Sequence, residues 1–546
     1  MKNNIITAFA LAALLLASCA PSQKSGDNNG TEIQAGSNDA IANTTYGKIA
    51  GFTQNGLYIF KGIPYAKANR FEAPTAPDSW EGVRSCRHFG PTSPQGKRSG
   101  WESDEIAFAF DWDDGYTGEN CQRLNIWTPG LDDGKTRPVM VWLHGGGFAA
   151  GSGQELPGYD GANLSKNEDV VVVTLNHRLN ALGFLDLSDF GDKYAKSGNA
   201  GMLDIVSALE WVRDNIVNFG GDPGNVTIFG QSGGGGKVGT LTGMPAAEGL
   251  FHKAIVQSGS MLRMMTSDNS RRIGRETAAI LGLDKNNIGA IDTIPYEQLL
   301  AAGEKAIAKV KAEVGAEGGA FIFGWAPTVD GDVLPEHPYG NEAPQQSRDI
   351  PMMIGTTLHE FTASTYVPAL KNLSKEQIVE NLRQRYGDNT DDFLKAFEKA
   401  YPDYAAIDLI DTDFTFRPSA VVQAGLKAGQ DAAPVYMYLF SWESPVMDGR
   451  LRSTHCMEIP FVFANTDRHA SMTGGGDDAR RLGDIMSKAW ANFARTGNPN
   501  TEDLPEWPAF TAENGATMVF DNECKVVNNH DKELLEVIHR MPVRGF

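Results

Sequence analysis

Residues 170–175, Val-Val-Val-Val-Thr-Leu, are apolar at nearly every position, and this restricts the fold more than any other stretch of the chain. A strand with one wet face alternates apolar and polar side chains. A continuous apolar run needs cover on both faces, which is the condition of a parallel sheet lying between helices. Residues 139–143, 226–229, 254–257, 351–354 and 435–440 are short runs of the same kind. Ile205, Leu209, Val212 and Ile216 recur between two of them at helical spacing. Strands alternating with helices predict an α/β chain with a central, mostly parallel sheet and helices on both faces. Residues 267–323 and 370–401 depart from the alternation and read as helices, the clearest over 296–314. They predict helical insertions where a lid and a substrate pocket would be built.

The sharpest local signal is Gly230-Gln231-Ser232-Gly233-Gly234, which follows the 226–229 strand and precedes a helical start through Val238 and Leu241. This is the nucleophile-elbow pattern G-x-S-x-G in its strand-turn-helix setting. The turn holds serine in a strained backbone conformation, and the glycines avoid clashes with the neighbouring strand and helix. The helix N-terminus behind Ser232 favours negative charge. A second signal, His144-Gly145-Gly146-Gly147-Phe148, directly follows the 139–143 strand. It matches the HGGG-type loop whose backbone N–H groups bind an oxyanion. Gly146 and Gly147 are the expected donors, joined by the N–H of Gly233. Together these motifs predict the α/β-hydrolase fold and a serine nucleophile at Ser232.

A base and an acid should follow the serine in the order Ser, Asp/Glu, His. Among ten histidines, His455 lies in a polar loop shortly after the 435–440 strand, a placement that suits a base. His337, His359, His469, His530 and His539 also follow the elbow. Glu360 comes after the 351–354 strand and is a candidate acid. Asp330 and Asp332 are its rivals, although Asp330-Gly331-Asp332 reads more readily as a turn in which such residues bond their own backbone.

Other chemistries find less support. No G-x-x-x-x-G-K-[ST] and no H-E-x-x-H occurs, so neither a phosphate-cradling loop nor a zinc site is expected, and no cofactor. The net charge of -20 comes without a basic stripe, which argues against a nucleic-acid partner.

The chain resembles the type B carboxylesterases, the family of cholinesterases and para-nitrobenzyl esterases. The likeness runs from about Tyr46 to Met541. It rests on Phe60-Lys61-Gly62-Ile63-Pro64-Tyr65, Arg70-Phe71, Glu119 to Trp127, Asn176-His177-Arg178, Asn199 to Asp204, Phe219 to Pro223, Ser258-Gly259-Ser260, Ala491 to Pro499, and Trp507-Pro508. The resemblance implies a carboxylic-ester hydrolase with Ser232, Glu360 and His455 as its triad. The base lies in a His-x-x-Glu-x-x-Phe segment, here His455 to Phe461. It also implies a serine near the acid, Ser258, and structural ion pairs Arg70–Glu119 and Arg178–Asp204. Two positions depart from the family pattern: Gln231 replaces glutamate, and Gly233 replaces alanine. The family's first disulfide also has no clear equivalent, since Cys121 matches one half but the other falls near Ser93; Cys86 is the candidate partner. A non-catalytic surface-binding protein and an amidase or peptidase remain alternatives on the same fold. The substrate is expected to be a small-molecule ester, of unspecified acyl and alcohol parts.

Residues 5–17 form an apolar run after Lys2, of signal-sequence length and too short for a comfortable span. It ends in Leu16-Ala17-Ser18-Cys19, which resembles a bacterial lipobox. Residues 1–18 are therefore expected to be a lipoprotein signal peptide and Cys19 the site of lipid attachment. The polar residues 19–42 are expected to be a flexible tether, and residues 43–546 a single catalytic domain, exported and held to the cell envelope only by lipid. The other cysteines, Cys86, Cys121, Cys456 and Cys524, are even in number and permit two disulfides in such a compartment.

Overall fold

The computed structural model describes residues 32–96, 104–113, 115–315, 324–412 and 414–540. Its centre is a twelve-stranded sheet made of β1 (Ile33–Gln34), β2 (Phe52–Gln54), β3 (Leu57–Pro64), β4 (Arg123–Thr128), β5 (Arg137–Leu143), β6 (Val171–Asn176), β7 (Gly221–Gln231), β8 (Lys253–Gln257), β9 (Met352–Thr357), β10 (Val435–Phe440), β11 (Ala516–Phe520) and β12 (Lys525–Asn528). Their spatial order is β1-β2-β3-β4-β6-β5-β7-β8-β9-β10-β11-β12. From β6 through β11 every neighbouring pair is parallel. Antiparallel pairs flank this block on both sides. This is the α/β-hydrolase fold, as expected.

The apolar runs have the two-sided burial that their composition demands. Every residue of β6, β8, β9 and β10 is buried. Along β5, Val139, Val141 and Leu143 enter the core on one face, and Met140 and Trp142 enter the core on the other. Helix α1 (Ala200–Asn215) covers the first face with Met202, Ile205, Leu209 and Val212. Helices α2 (Gly233–Leu241), α3 (Ser267–Ile280) and α4 (Tyr296–Val314) add to that layer. The opposite face is covered by Leu482, Met486, Trp490 and Phe493, lying one or two turns apart on the last long helix, Asp477–Thr496.

Both insertions are helical. The first supplies α3 and α4, and its residues 316–323 lie outside the described part. The second supplies α5 (Lys375–Tyr386) and α6 (Thr390–Ala400), with α5 started by a capping box at Ser374 and Gln377. Ile378, Leu382, Phe393 and Phe397 form a separate small core with Leu534 and Val537 of the C-terminal helix Lys532–Arg540. The second insertion is thus anchored to the chain's end. Helix α7 (Arg417–Ala428) then leads back to the first face of the sheet.

Two expectations need correction. The structure is ordered into strands before residue 43: Ile33 and Gln34 pair with Thr53 and Gln54, Ile41–Thr44 pairs with Gly47–Ala50, and Ala40 and Ala42 are buried. Ala40 and Ala42 reach the core, whereas the exposed Ile33 and Gln34 join the sheet edge through backbone pairing. The second concerns the disulfide: all four described cysteines are free thiols, and Cys86 does not pair with Cys121. Cys86 lies in the core beside the bridge of Lys61 to Arg87, whereas Cys121 is turned toward Ser93 and the Arg178–Asp204 pair, where burial pushes its thiol up to about 12. Cys19 lies outside the described residues.

Candidate active site

The 230–234 motif joins β7 to α2. Ser232 sits at the turn with φ 58° and ψ −125°, outside the regions that L-residues favour, and it is the N-cap residue of α2. Its own N–H donates to the Gln257 carbonyl at 2.8 Å, which fixes the turn against β8. The glycines are required by close approach. A Cβ on Gly234 would lie 2.0 Å from the Leu143 carbonyl oxygen, and one on Gly233 would lie 2.2 Å from the Gly147 carbonyl oxygen. Gly233, one of the departures noted in the sequence, is therefore pressed against the glycine loop, and an alanine there would need the loop to shift.

That loop leaves β5 at His144. Gly146 and Gly147 have φ of 79° and 62°. Three successive carbonyls of the loop are each occupied. The His144 carbonyl accepts from Lys237 Nζ at 2.9 Å, the Gly145 carbonyl lies 2.9 Å from His144 Nδ1, and the Gly146 carbonyl accepts from the Ala150 N–H at 3.1 Å. In a trans peptide the N–H points opposite to the C=O, so these contacts also set where the following N–H groups point.

Glu360 and His455 come from loops after β9 and β10, and the fold brings them together. His455 Nδ1 lies 2.6 Å from Glu360 Oε2. The other carboxylate oxygen accepts from the Thr357 N–H at 3.0 Å. The His455 N–H also donates to the Glu360 carbonyl at 2.7 Å. Glu360 is fully buried, and the His455 side chain is 12% exposed, enough for a substrate to reach it. With Nδ1 donating to the carboxylate, Nε2 carries the lone pair.

The Ser232 hydroxyl makes no hydrogen bond to His455; such contacts are often long without substrate and tighten when it binds. The neighbour in contact is Gln231, whose Nε2 lies 3.2 Å from Nδ1 and 3.3 Å from Nε2 of His455. Near-equal distances to two nitrogens of one ring put the amide over the ring face. Gln231 Oε1 in turn accepts from the Cys456 thiol at 3.1 Å. Cys456 itself has φ 73°. Two aromatic rings complete the setting: Phe416 stacks on the imidazole at 5.3 Å with an 8° tilt, and Phe361 lies at 4.8 Å.

Behind the acid lies a second buried carboxyl, Glu458. Its Oε1 accepts from Gln257 Nε2 at 3.2 Å, and Gln257 Oε1 accepts from Trp490 Nε1 at 3.2 Å. Its Oε2 has no partner. Burial first, and the nearby Glu360 charge second, push Glu458 up to about 7. Ser258 is also fully buried, with φ 46° and its N–H on the Gly355 carbonyl, but its hydroxyl makes no hydrogen bond to the acid.

The rivals are accounted for. Asp330 Oδ1 accepts from the N–H groups of Asp332 and Leu334, a turn bonding its own backbone. His359 is buried against Ser453 Oγ, 2.8 Å from its Nδ1. Both ion pairs anticipated from the resemblance are formed, Arg70 with Glu119 and, fully buried, Arg178 with Asp204. The reading of the sequence did not find Phe361, Phe416 or Lys237. For Lys237 a signal existed, a single charge in an otherwise small and apolar helical start; for Phe416, 39 residues before His455, there was none.

The chain is similar to known proteins along most of its length. The family model described as "Carboxylesterase family" matches residues 38–537. The para-nitrobenzyl esterase of Bacillus subtilis is 36% identical over 510 residues, covering 90% of this chain and 97% of the relative. The phenmedipham hydrolase of Pseudarthrobacter oxydans is 34% identical, covering 88% and 95%. Among solved structures, an esterase from Clostridium hathewayi that can hydrolyze aliphatic aromatic polyesters has a TM-score of 0.83 at 38% identity, covering 94% of this chain and all of the other. A Geobacillus stearothermophilus carboxylesterase has a TM-score of 0.73 at 35% identity, covering 91% and 99%.

Proposed function

The chain belongs to the carboxylesterase family and is a carboxylic-ester hydrolase, and from that premise we propose that Ser232, His455 and Glu360 perform its chemistry. His455 Nε2 takes the Ser232 hydroxyl proton as the serine oxygen attacks the ester carbonyl. Glu360 steadies the imidazolium that forms. The N–H groups of Gly146, Gly147 and Gly233 hold the oxyanion, each contributing about 3 kcal/mol to the transition state. His455 then hands the proton to the departing alcohol, leaving an acyl-serine. Water, activated by the same imidazole, releases the acid and restores Ser232. The observation that carries this reading is the 2.6 Å contact of Glu360 with His455, beside a serine held at φ 58°. Ser232→Ala should fold normally and lose turnover of 4-nitrophenyl acetate; native turnover by that variant would sink the assignment.

The finer reading is that the enzyme prefers hydrophobic, aryl-bearing esters. Supporting it are Phe361, exposed at 39% on the face of His455, with Phe416 beside it and the exposed Tyr366 and Val367 a short step along the same segment. The para-nitrobenzyl esterase of Bacillus subtilis and the Clostridium hathewayi esterase that can hydrolyze aliphatic aromatic polyesters point the same way. A benzyl ester should be turned over with higher kcat/KM than the matching ethyl ester, and Phe361→Ala should shrink that ratio. Pairing the benzyl ester with its amide separates ester hydrolysis from amidase activity.

The apolar run ending in Leu16-Ala17-Ser18-Cys19 supports export and lipid attachment at Cys19. Labelled palmitate incorporated by the full chain, and not by Cys19→Ser, is the expected outcome.

A further inference from the structure

We propose that Lys237 is a positioning residue for the oxyanion hole, its buried amine holding the His144 carbonyl and thereby the His144–Gly145 peptide from which the Gly146 and Gly147 donors continue. The proposal rests on the reading of Ser232 as nucleophile and of this loop as the oxyanion hole.

Lys237 is fully buried on α2, five residues after Ser232. A lysine is almost never fully buried without a partner. The hydrogen bond recorded for its amine is the one to the His144 carbonyl, 2.9 Å away. At the other end of the loop, the same amine lies 5.8 Å from the centroid of the Phe148 ring. Lys237 therefore lies across the glycine segment, bonded to the residue before it and facing the ring of the residue after it.

Glycines confer little stiffness of their own, since they adopt both signs of φ. The direction of each loop N–H has to be imposed by contacts of the neighbouring peptides. The Gly146 and Ala150 contact is made within the loop, and the His144 ring bonds the loop's own Gly145 carbonyl. Lys237 ties the loop to the helix that carries Ser232. It thereby links the donor groups to the nucleophile they must serve, and it needs no movement at the moment of reaction.

Burial pulls the Lys237 amine down to about 7, and the buried Glu155 nearby acts in the other direction, favouring the charged form. His177, stacked on His144 at 5.1 Å, is held well below its ordinary range by burial and by Lys237, and so adds no positive charge.

The experiment compares the native enzyme with Lys237→Met, which keeps the unbranched apolar stem of the side chain and removes its donor. Rates are taken per active site, counted from the burst with a 4-nitrophenyl ester. Affinity is measured for a trifluoromethyl ketone, which forms an oxyanion on the serine. The expected result is a fall of about 10- to 100-fold in kcat with KM within twofold, and a matching loss of ketone affinity. Native kcat per titrated site together with native ketone affinity overturns the proposal, even if the melting temperature falls, because that pattern belongs to a merely structural lysine. Should the methionine variant not accumulate folded, Lys237→Gln, too short to reach the carbonyl, is held to the same two outcomes. Ser232→Ala is run alongside. If it retains turnover, the active-site reading itself fails; if it is inactive and Lys237→Met is native, only the role of Lys237 falls.

Discussion

His455 and Glu360 are joined twice, once through the ring and carboxylate at 2.6 Å and once through the backbone, where the His455 N–H donates to the Glu360 carbonyl at 2.7 Å. The backbone bond holds the two loops together whatever the charge on the carboxyl. Glu360→Gln should therefore keep its fold and its loop positions and lose the stabilisation of the imidazolium. A drop of about 10³- to 10⁴-fold in kcat is expected, by analogy with the acid-to-amide change in serine proteases. Steady-state kinetics with a 4-nitrophenyl ester checks it, and a loss below tenfold would count against Glu360 as the acid.

Gln231 places a neutral amide over the His455 ring where the family usually has glutamate. Restoring the carboxylate with Gln231→Glu adds a second negative charge within hydrogen-bond distance of the imidazole. That charge favours the protonated ring, which cannot act as base. The acid limb of the kcat/KM profile should move to higher pH by about one unit. An unmoved limb would show that residue 231 has no electrostatic hold on the base.

Glu458 gives a pH dependence of stability with a definite sign. Its carboxyl is raised from 4.5 to about 7 in the folded chain. Between these values the native protein holds a proton that the unfolded chain has released, so this group's contribution is present below pH 4.5 and is lost as pH rises through about 7. Glu458→Gln removes the titration. The variant should gain on native protein by up to about 3 kcal/mol between pH 4.5 and 8. Urea unfolding at those two pH values reads it; a difference that stays constant excludes the raised carboxyl.

Arg178 pairs with Asp204 in the interior and also donates to the carbonyls of Asn69 and Glu72. Removing it leaves Asp204 charged and buried at the start of α1. Arg178→Ala should cost about 3–5 kcal/mol of stability, read as a lower denaturation midpoint. A cost under 1 kcal/mol would mean that water enters to solvate Asp204.

Much of this could be read from the chain before any coordinates. The β6 run and its companions become the parallel block because their composition leaves no wet face. Helix α4 spans the residues that its periodicity marks, and the turn at Ser232 needs its glycines for contacts that the pattern already implies. The unread parts share a cause: they depend on which distant segments meet. Phe416 reaches His455 only because α7 returns to the sheet after the second insertion. Ile33 and Ile41 pair at an edge that no local pattern reveals. The family resemblance suggested Cys86 as the partner of Cys121, but their side chains enter different environments.

Ser232, Glu360, His455 and the glycine loop all hang from the carboxyl ends of β7, β9, β10 and β5. The amino ends of those strands, near Lys135 with its 61% exposed side chain, face the other way. Coupling the enzyme to a bead through that far rim would leave the mouth open to bulky or even insoluble substrates, whereas coupling through the loops around Phe361 would cork it.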